Sequence, residues 1–257
     1  MKVWMREPGE ELARCELTHV EREPIDVGLA RQQHAQLART LEELGCDVCV
    51  LPALPGQPDA CFVQDVALLL GEAAVLCSPG AGSRRGEVSS IGEELGASHS
   101  LLDLAAAAPP GATLEGGDVL RVDDVLYVGM STRTNHAGLK ALAHLVLAEG
   151  FRVKAAGVRG CLHLETGATR IGSEQLLVNP SWVDLERADD LEQVPVDPAE
   201  PFGANVLRVG DCLVASDAHP LTNQRLRELG HRVREVAIGE LHRAEAGVTC
   251  LALCERS

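Results

Sequence analysis

The most constraining feature of this sequence is a pattern of helix and strand signals that recurs about every fifty residues. In four places a segment with helical periodicity ends in a glycine and is followed by an apolar, strand-like run. These glycines are Gly45, Gly96, Gly150 and Gly230. A glycine here is typical of a helix end in the left-handed backbone region. The pattern predicts an α/β protein built from similar units, with Asp26 capping the first helix.

Candidate β-hairpins lie between these helix–strand segments, each with a tight polar turn. The turns are Gly71-Glu72, Asp123-Asp124, Gly172-Ser173 and Gly210-Asp211. Glycine and aspartate tolerate the backbone angles that hairpin turns require. The turns begin at residues 71, 123, 172 and 210, so the intervals between them are 52, 49 and 38 residues. Four hairpin units of similar size are therefore predicted.

A fifth unit needs two further strands, and the two ends of the sequence offer them. The apolar run in residues 247–254 supplies one strand and residues 2–6 supply the other. The sequence thus predicts one domain over residues 1–257, with five α/β units around a pseudo-fivefold axis. Spacing alone leaves an open α/β sheet with antiparallel edge strands as the alternative.

Charge and hydropathy exclude several classes of partner. The 257-residue chain has 38 acidic and 23 basic side chains and a formal net charge of −15. This balance argues against nucleic acid or an anionic membrane as a partner, and it is compatible with a small cationic substrate. Mean hydropathy is +0.03, and no uncharged apolar run approaches the roughly 20 residues of a membrane span.

The cysteines and the first residues predict a cytoplasmic protein. There are nine cysteines, and an odd number without a secretory signal favours reduced thiols. The pair Cys46 and Cys49 has CxxC spacing but lacks a second pair or nearby histidines, so no metal site is predicted there. The sequence leaves open whether the chain forms a homodimer.

Polar residues precede the turn in each predicted hairpin and would converge on the axis of a ring. They are Asp65, Glu115, Asp118, His163 and Asn205, and Cys250 belongs to the fifth unit. A convergent set of a thiol, an imidazole and carboxylates in a concavity is a candidate active site. Strand alternation would place His163 and Glu165 on one face.

Each of these residues also has a structural interpretation. Cys250 is a candidate nucleophile or a buried strand thiol, and His163 is a candidate acid–base or a structural histidine. The paired glycines beside Glu115 permit close approach to a ligand, but they also suit a bulge or turn. The loop around Arg84 offers a guanidinium fork to a carboxylate, or it is a solvated basic loop.

Together these segments resemble the dimethylarginine dimethylaminohydrolases of the guanidine-modifying (amidinotransferase, or pentein) superfamily. The matching segments are LTH at 17–19, PDACFVQD at 58–65, SPGAGSRRGE at 78–87, TLEGGDVL at 113–120, VGMSTRTN at 128–135, LHLETG at 162–167, the region of Asn205 and VTC at 248–250. The resemblance covers nearly the whole chain. It implies a five-bladed β/α propeller (the pentein fold) with its active site on the central axis.

The resemblance also implies roles for individual residues. Cys250 would be the nucleophile, His163 the general acid–base and Glu115 the acidic third member of a catalytic triad. The implied substrate contacts are Asp65 for the guanidinium, Arg84 and Arg133 for the α-carboxylate, and Leu17, Asp59, Phe62, Gln64 and Ala244 around the rest of the molecule.

The implied reaction is hydrolysis of Nω-methylated L-arginine to citrulline and methylamine or dimethylamine. It would pass through a covalent S-alkylthiouronium on Cys250, with a guanidino amino acid as the small-molecule substrate and no metal or organic cofactor. One position departs from the family pattern, because Gln64 stands where the family usually has glutamate. Loss of that charge predicts an effect on substrate choice.

Three other functions remain as alternatives. The same Cys-His-Glu chemistry could act on another guanidine, as in arginine deimination or amidino transfer. A propeller of this kind could instead be a non-catalytic binding protein, because fold does not fix function. A zinc hydrolase is disfavoured by the lack of ligand spacing.

Overall fold

The computed structural model describes residues 1–185 and 191–255, which form sixteen strands and seven α-helices. The strands are β1 (Lys2–Arg6), β2 (Asp47–Leu51), β3 (Ala67–Leu70), β4 (Ala73–Leu76), β5 (Ser100–Asp103), β6 (Val119–Val122), β7 (Val125–Met130), β8 (Arg152–Val158), β9 (Ala168–Arg170), β10 (Gln175–Val178), β11 (Val183–Asp184), β12 (Glu192–Pro195), β13 (Val206–Val209), β14 (Cys212–Ser216), β15 (Arg232–Val236) and β16 (Leu253–Cys254). The helices are α1 (Val27–Glu43), α2 (Arg85–Leu95), α3 (Leu104–Ala107), α4 (His136–Leu145), α5 (Leu164–Gly167), α6 (Pro220–Glu228) and α7 (Gly239–His242).

The described strands form five small sheets, and with the helices they make an α/β fold. In strand order they are sheet 1 (β16-β1-β2), sheet 2 (β3-β4-β5), sheet 3 (β11-β8-β7-β6), sheet 4 (β12-β10-β9) and sheet 5 (β13-β14-β15). Sheets 2 to 5 each contain an antiparallel hairpin joined to a parallel strand. The repeated hairpin-then-strand pattern of the sequence is therefore a real structural repeat.

The hairpin turns are the best-predicted elements. Pairing of Leu70 with Ala73 closes the first turn at the predicted residues, and the turns of sheets 3 and 5 also fall at the predicted positions. In sheet 4 the last paired residues are Arg170 and Leu176, so this turn is wider than the predicted Gly172-Ser173 pair. Backbone angles explain the accurate cases, because Asp123 has φ 52° and Gly210 has φ 59°.

Two of the four glycine signals mark helix ends as predicted. Gly45 (φ 86°) and Gly230 (φ 91°) lie in the left-handed region directly after α1 and α6, as predicted. A third, Gly150 (φ 83°), is left-handed, but α4 already ends at Leu145. Gly96 follows α2 but has φ −63°, so the predicted left-handed end is wrong there. Asp26 caps α1 as predicted, because its side chain accepts a hydrogen bond of 2.9 Å from the amide of Leu29.

The two ends of the described chain meet in sheet 1. Strand β1 pairs antiparallel with β16, so that Trp4 lies opposite Leu253, and it pairs parallel with β2 on its other side. The predicted strand in residues 247–254 is shorter than expected, since only Leu253–Cys254 is extended. Cys250 consequently lies in a turn just before β16 rather than within a strand.

Within the described residues, five apolar clusters form the core, and four of them lie between sheets with consecutive numbers. The cluster between sheets 3 and 4, for example, packs Leu120 and Tyr127 against Leu176. The largest cluster contains Leu207 and Val214 of sheet 5 together with Val3 of sheet 1. The core thus runs from each sheet to the next and joins the last to the first.

Among residues 1–185 and 191–255, no helix combines the length and apolar character needed to cross a membrane.

Candidate active site

A narrow cleft lies where the first strands of the hairpins begin. Eight of the predicted site residues line it: Asp59, Phe62, Asp65, Arg84, Arg133, His163, Ala244 and Cys250. Short turns immediately before the strands present the polar groups. Asp65 lies in the 3₁₀-helix Val63–Val66 before β3, and His163 directly precedes α5. Because α5 is helical, His163 and Glu165 do not share a strand face, and that expectation was wrong.

His163 and Glu115 form a buried hydrogen-bonded pair. The imidazole Nε2 lies 2.8 Å from Oε2 of Glu115, and both side chains are almost completely buried. Burial alone would lower the pKa of His163, but the carboxylates of Asp65 and Asp118 and the bond to Glu115 raise it to about 9. Burial opposes ionisation of Glu115, yet its bond to His163 holds the pKa of this carboxyl below its ordinary value. The pair is therefore an imidazolium and a carboxylate at neutral pH.

Glu115 is fixed from its other side by the chain that precedes α2. Its Oε1 accepts hydrogen bonds from the amides of Gly80 (2.9 Å) and Ala81 (3.5 Å) and lies 3.5 Å from Nη1 of Arg133. The carboxylate cannot rotate away from His163 without losing these bonds. Since Nε2 of His163 is engaged by Glu115, Nδ1 is the nitrogen left to exchange protons in the cleft.

Asp65 presents one engaged and one open carboxylate oxygen. Oδ2 accepts a 2.5 Å bond from Nη1 of Arg84. Oδ1 is buried, lies 3.6 Å from Nδ1 of His163, and accepts no hydrogen bond from any residue that the structure describes. A buried acceptor without a donor is costly, so Oδ1 is a strong site for a ligand N–H.

Arg84 is engaged inside the protein rather than open to a ligand. Its Nε and Nη2 donate to Glu87, and Nη2 also donates to the carbonyls of Asp59 (3.2 Å) and Phe62 (3.0 Å). The side chain is 3% exposed. In this conformation Arg84 holds Asp65 in place, which differs from the expected contact with a substrate carboxylate. The i,i+3 spacing of Arg84 and Glu87 was the available signal for this pair.

Cys250 is buried in the wall of the cleft. Its Sγ accepts a hydrogen bond of 3.4 Å from the amide of Gly247, and its carbonyl accepts one of 3.3 Å from the amide of Gln64. Burial raises the pKa of the thiol to about 12, with Asp65 and Glu165 acting in the same direction and the bond from Gly247 opposing them. In this environment the thiol is protonated at neutral pH.

Gln64 lies behind the cleft rather than in its lining. Its side-chain amide donates to the carboxylate of Glu165, and both side chains are buried. The backbone carbonyl of Glu165 accepts a bond of 2.9 Å from Asn205, which also bonds Thr249 beside Cys250. The negative charge that a glutamate at position 64 would carry is thus present on Glu165, the hydrogen-bond partner of Gln64.

Gly116 and Gly117 allow the carboxylate of Asp65 and the imidazole of His163 to approach each other. A Cβ on Gly117 would lie 2.7 Å from Oδ1 of Asp65 and 2.8 Å from Nδ1 of His163. A Cβ on Gly116 would lie 2.0 Å from the carbonyl oxygen of Gln64. Only glycine fits at these two positions without movement of the site.

The segment around Thr18 covers the cleft. Glu245 accepts hydrogen bonds from the amides of Thr18 (2.6 Å) and His19 (3.0 Å), and Arg133 donates to Oγ1 of Thr18 (3.1 Å). Asp59 accepts from the amide of Glu16 (3.1 Å), and burial raises the pKa of Asp59 to about 6. The free space beneath is about 20 Å³. Leu17 belongs to this covering segment and does not line the cleft.

A metal ion is one chemical possibility for the cluster at the base of the cleft. Ligand atoms of Asp65, Glu115 and His163 lie within 4.8 Å of one another. However, Glu115 already bonds His163 and two amides, and Asp65 bonds Arg84. The open Oδ1 and the adjacent carboxylate suit a cation with N–H groups better than a bare ion.

Sequence reasoning missed two acidic residues of the site. Glu87 neutralises Arg84, and burial raises the pKa of Glu87 to about 7 against the opposing charge of that arginine. Glu245 fastens the covering segment and has φ 60°, a left-handed conformation that is rare for glutamate. Nothing in the spacing around Glu245 indicates this contact.

Comparison with known proteins identifies the family of this α/β chain. The profile of the eukaryotic N,N dimethylarginine dimethylhydrolase family matches residues 18–194. N(G),N(G)-dimethylarginine dimethylaminohydrolase from Streptomyces coelicolor is 34% identical over 98% of this chain and 96% of its own length. The enzyme of the same name from Pseudomonas aeruginosa is 30% identical over 89% of each chain.

A solved structure of the Pseudomonas aeruginosa protein superposes with a TM-score of 0.90 at 27% identity, covering 98% of both chains. That structure is a cysteine-to-serine variant in complex with citrulline. The fold and site define a protein of the guanidine-modifying (pentein) superfamily. Within it, the chain belongs to the dimethylarginine dimethylaminohydrolase family.

Proposed function

We propose that this chain hydrolyses Nω-methylated L-arginine to L-citrulline and methylamine or dimethylamine. The observation that carries the proposal is the open Oδ1 of Asp65, buried beside the His163–Glu115 pair in the cleft that also holds Cys250. Family membership and the citrulline complex of a relative support the same substrate class.

The guanidinium of the substrate would occupy the space between Asp65 and Cys250. Its N–H groups satisfy the open Oδ1 of Asp65, and its positive charge offsets the buried carboxylates. The cation also favours ionisation of the neighbouring thiol, whose pKa burial raises to about 12. His163 already carries a proton, so the thiol would lose its proton to solvent water when the substrate binds, and the resulting thiolate would attack the substrate.

The reaction then proceeds in two halves on Cys250. The thiolate adds to the guanidinium carbon, and His163, charged because its pKa is about 9, protonates the departing methylated amine. The remaining S-alkylthiouronium is attacked by water, from which the now neutral His163 removes a proton. The carbon–sulfur bond breaks, and citrulline and the thiol are released. Glu115 keeps the imidazole oriented through both halves.

The amino-acid end of the substrate would lie toward the covering segment. Arg133, the cleft-lining arginine outside the Arg84–Glu87 pair, would bind the α-carboxylate, with Asp59, Phe62 and the backbone near Ala244 around the α-amino group. Leu17, on the covering segment, would reach the same end of the substrate after that segment moves. Arg84 would act as a positioning residue that aligns Asp65. Because about 20 Å³ cannot hold an amino acid, the segment around Thr18 must move for substrate to enter.

We infer that the five sheets are the blades of a five-bladed β/α propeller with the cleft on its axis. The core clusters between consecutive sheets, and the one that joins sheet 5 to sheet 1, support a closed ring. The continuity of that core supports one catalytic domain over residues 1–257. Nine free cysteines favour a reducing compartment such as the cytoplasm.

A product assay tests the proposed function. Purified protein is given asymmetric dimethylarginine, monomethylarginine and arginine in parallel, and citrulline, amines and ammonia are quantified. Citrulline with dimethylamine in equal amounts is expected from the parent chain. A Cys250→Ala variant should give neither, and intact-mass analysis should find a substrate adduct only with Cys250 present. Turnover of arginine alone, to citrulline and ammonia, would mean arginine deimination instead, and no product from any of the three would exclude the proposal.

A further inference from the structure

Asp118 is a buried carboxylate behind the cleft that takes no part in the reaction proposed above. It is the last residue of the 3₁₀-helix Gly116–Asp118, three residues after Glu115, and its side chain is completely buried. An ionised group so far from solvent is costly unless hydrogen-bond donors satisfy it. The two oxygens of Asp118 have separate donors, and these donors belong to two different parts of the active site.

One oxygen holds the backbone that carries the imidazole. Oδ1 of Asp118 accepts a hydrogen bond of 3.0 Å from the amide of Leu164, the residue directly after His163. A Cβ on Gly129 of β7 would lie 2.8 Å from this oxygen and 2.7 Å from Cβ of Leu164, so the bond lies against the backbone of β7. Asp118 thus fixes the backbone beside His163, while Glu115 fixes the orientation of its ring.

The other oxygen leads to the arginine that would bind the α-carboxylate. The hydroxyl of Ser131 donates a hydrogen bond of 2.6 Å to Oδ2 of Asp118, and Oγ of Ser131 accepts one of 3.0 Å from the amide of Arg133. A hydroxyl has a single proton, so donation to Asp118 leaves the lone pairs of Ser131 for the amide of Arg133. The carboxylate therefore also helps to fix the backbone at Arg133.

The charge of Asp118 acts on the imidazole as well. The charged and titratable groups around His163 are the carboxylates Asp65, Glu115 and Asp118, the thiol Cys250, and the arginines Arg84 and Arg133, which pair with the first two carboxylates. Among the described residues, Asp118 forms no ion pair with an arginine or lysine. Burial raises the pKa of Asp118 to about 6 against the opposing charge of His163, so Asp118 is ionised where His163 titrates, near pH 9. Its charge therefore favours the imidazolium.

We propose, on the basis of the function proposed above, that Asp118 is a positioning residue that joins recognition of the α-carboxylate by Arg133 to proton donation by His163. Its charge and Oδ1 act on His163, and Oδ2 acts on Arg133 through the hydroxyl of Ser131. The two contacts can be tested separately. Ser131→Ala removes the contact toward Arg133 and leaves the bond to Leu164 in place.

The pKa of His163 tests the first contact without any need for turnover. Histidine ring signals of the Cys250→Ala chain are followed against pH by NMR, and His163→Gln identifies the signal. The asparagine of Asp118→Asn can still accept from Leu164 but carries no charge, so the pKa of His163 should fall by about 1 or more. Asp124→Asn removes the same charge from an exposed side chain of the next turn and should leave this pKa unchanged.

Ligand affinity tests the second contact, again in the Cys250→Ala chain, which cannot form the covalent intermediate. Isothermal titration compares Nω-methyl-L-arginine with methylagmatine, which lacks the α-carboxylate. Ser131→Ala should weaken binding of methylarginine about fivefold, the effect of one hydrogen bond, and leave binding of methylagmatine unchanged. It should not lower the pKa of His163 as Asp118→Asn does. Ser89→Ala, at an exposed position in α2, should bind both ligands like the Cys250→Ala chain.

Two results would overturn the proposal. One is an unchanged pKa of His163 in Asp118→Asn, and the other is equal weakening of both ligands by Ser131→Ala, as a merely structural role would give. Thermal unfolding establishes that each variant is folded, and Ser131→Ala still supplies a test if Asp118→Asn does not fold.

Failure of the proposed function gives a different result. Binding of neither guanidine to the Cys250→Ala chain would refute that function, and with it the connection to Arg133. A lowered pKa of His163 in Asp118→Asn would still support the contact between Asp118 and the imidazole.

Discussion

His163 is held as an imidazolium by the carboxylates around it, and this sets its role. Its pKa of about 9 makes it a proton donor at neutral pH, and Glu115 fixes its orientation. We expect His163→Ala to lower kcat by about 10²–10⁴, the usual contribution of a general acid–base group. Steady-state kinetics on dimethylarginine measures this, and unchanged turnover would remove His163 from the mechanism.

The raised pKa also makes His163 a pH-dependent source of stability. The folded value of about 9 exceeds the 6.5 of an ordinary histidine, so the folded chain binds the proton more tightly. This stabilisation is fully present below about pH 6.5 and is lost as the pH rises through about 9. The free energy of unfolding of the parent chain minus that of His163→Gln should therefore fall by about 3 kcal/mol across this window. Urea unfolding at several pH values tests it, and a constant difference would contradict it.

Gln64 and Glu165 form a buried amide–carboxylate pair. The glutamine that stands where the family usually has glutamate therefore affects the stability of this pair rather than a direct contact with substrate. Gln64→Glu would place two carboxylates against each other, with an expected loss of about 3 kcal/mol in unfolding free energy. The double variant Gln64→Glu with Glu165→Gln restores one amide and one carboxylate and should recover most of that loss. Urea unfolding measures all three chains.

The exposed Gln32→Glu on α1 is the matched control and should have little effect. Equal stability of Gln64→Glu and the parent chain would show that the two side chains do not face each other. In that case, a change in the order of kcat/KM among guanidine substrates would indicate that Gln64 contacts the substrate.

At the scale of elements, the 3₁₀-helix Gly116–Asp118 creates the close approach on which the site depends. Gly117→Ala would place a methyl group 2.7 Å from Asp65 and 2.8 Å from His163, and it should displace both side chains. We expect kcat to fall about 100-fold, because small misplacements of catalytic groups have effects of this size. Gly239→Ala at the start of α7 has 3.9 Å of clearance and should leave kcat unchanged. Similar kinetics for the two variants would refute the argument.

Hairpins were predictable because their turns are set by local backbone chemistry. Asp123 and Gly210 adopt the left-handed angles that their residue types favour. Gly96 shows the limit of such signals, because its position after α2 predicts a left-handed end while its φ is −63°. The chain continues in right-handed turns there, since the amides of Ser98 and His99 both donate to the carbonyl of Leu95.

The sequence predicts which residues belong to the candidate site but not how they are arranged. The family resemblance and the positions of polar residues indicate Cys250, His163 and Glu115, and the structure places side-chain atoms of the latter two 2.8 Å apart. The burial of Arg84 could not be foreseen, because an arginine followed three residues later by glutamate is usually a solvated surface pair. Whether such a pair is buried depends on contacts distant in sequence, here Asp65.

At the scale of the whole molecule, pairing of β1 with β16 joins segments about 250 residues apart. Such distant contacts are formed slowly, because a long loop must close first. Trp4 reports this closure, since it is buried opposite Leu253 and packs edge-on against His99 at 5.6 Å. In a Trp182→Phe background, Trp4 fluorescence should recover at the same rate as activity and more slowly than backbone circular dichroism. Recovery of Trp4 fluorescence in the early phase, ahead of activity, would contradict this order.

Cys250 lies three residues before β16, whereas Glu115 and His163 lie far earlier in the chain. On the mechanism proposed above, a chain growing on the ribosome therefore carries its acid–base pair long before its nucleophile. We expect prematurely terminated translation products to be inert instead of partly active, because catalytic competence would begin only when synthesis reaches the strand that joins sheet 1.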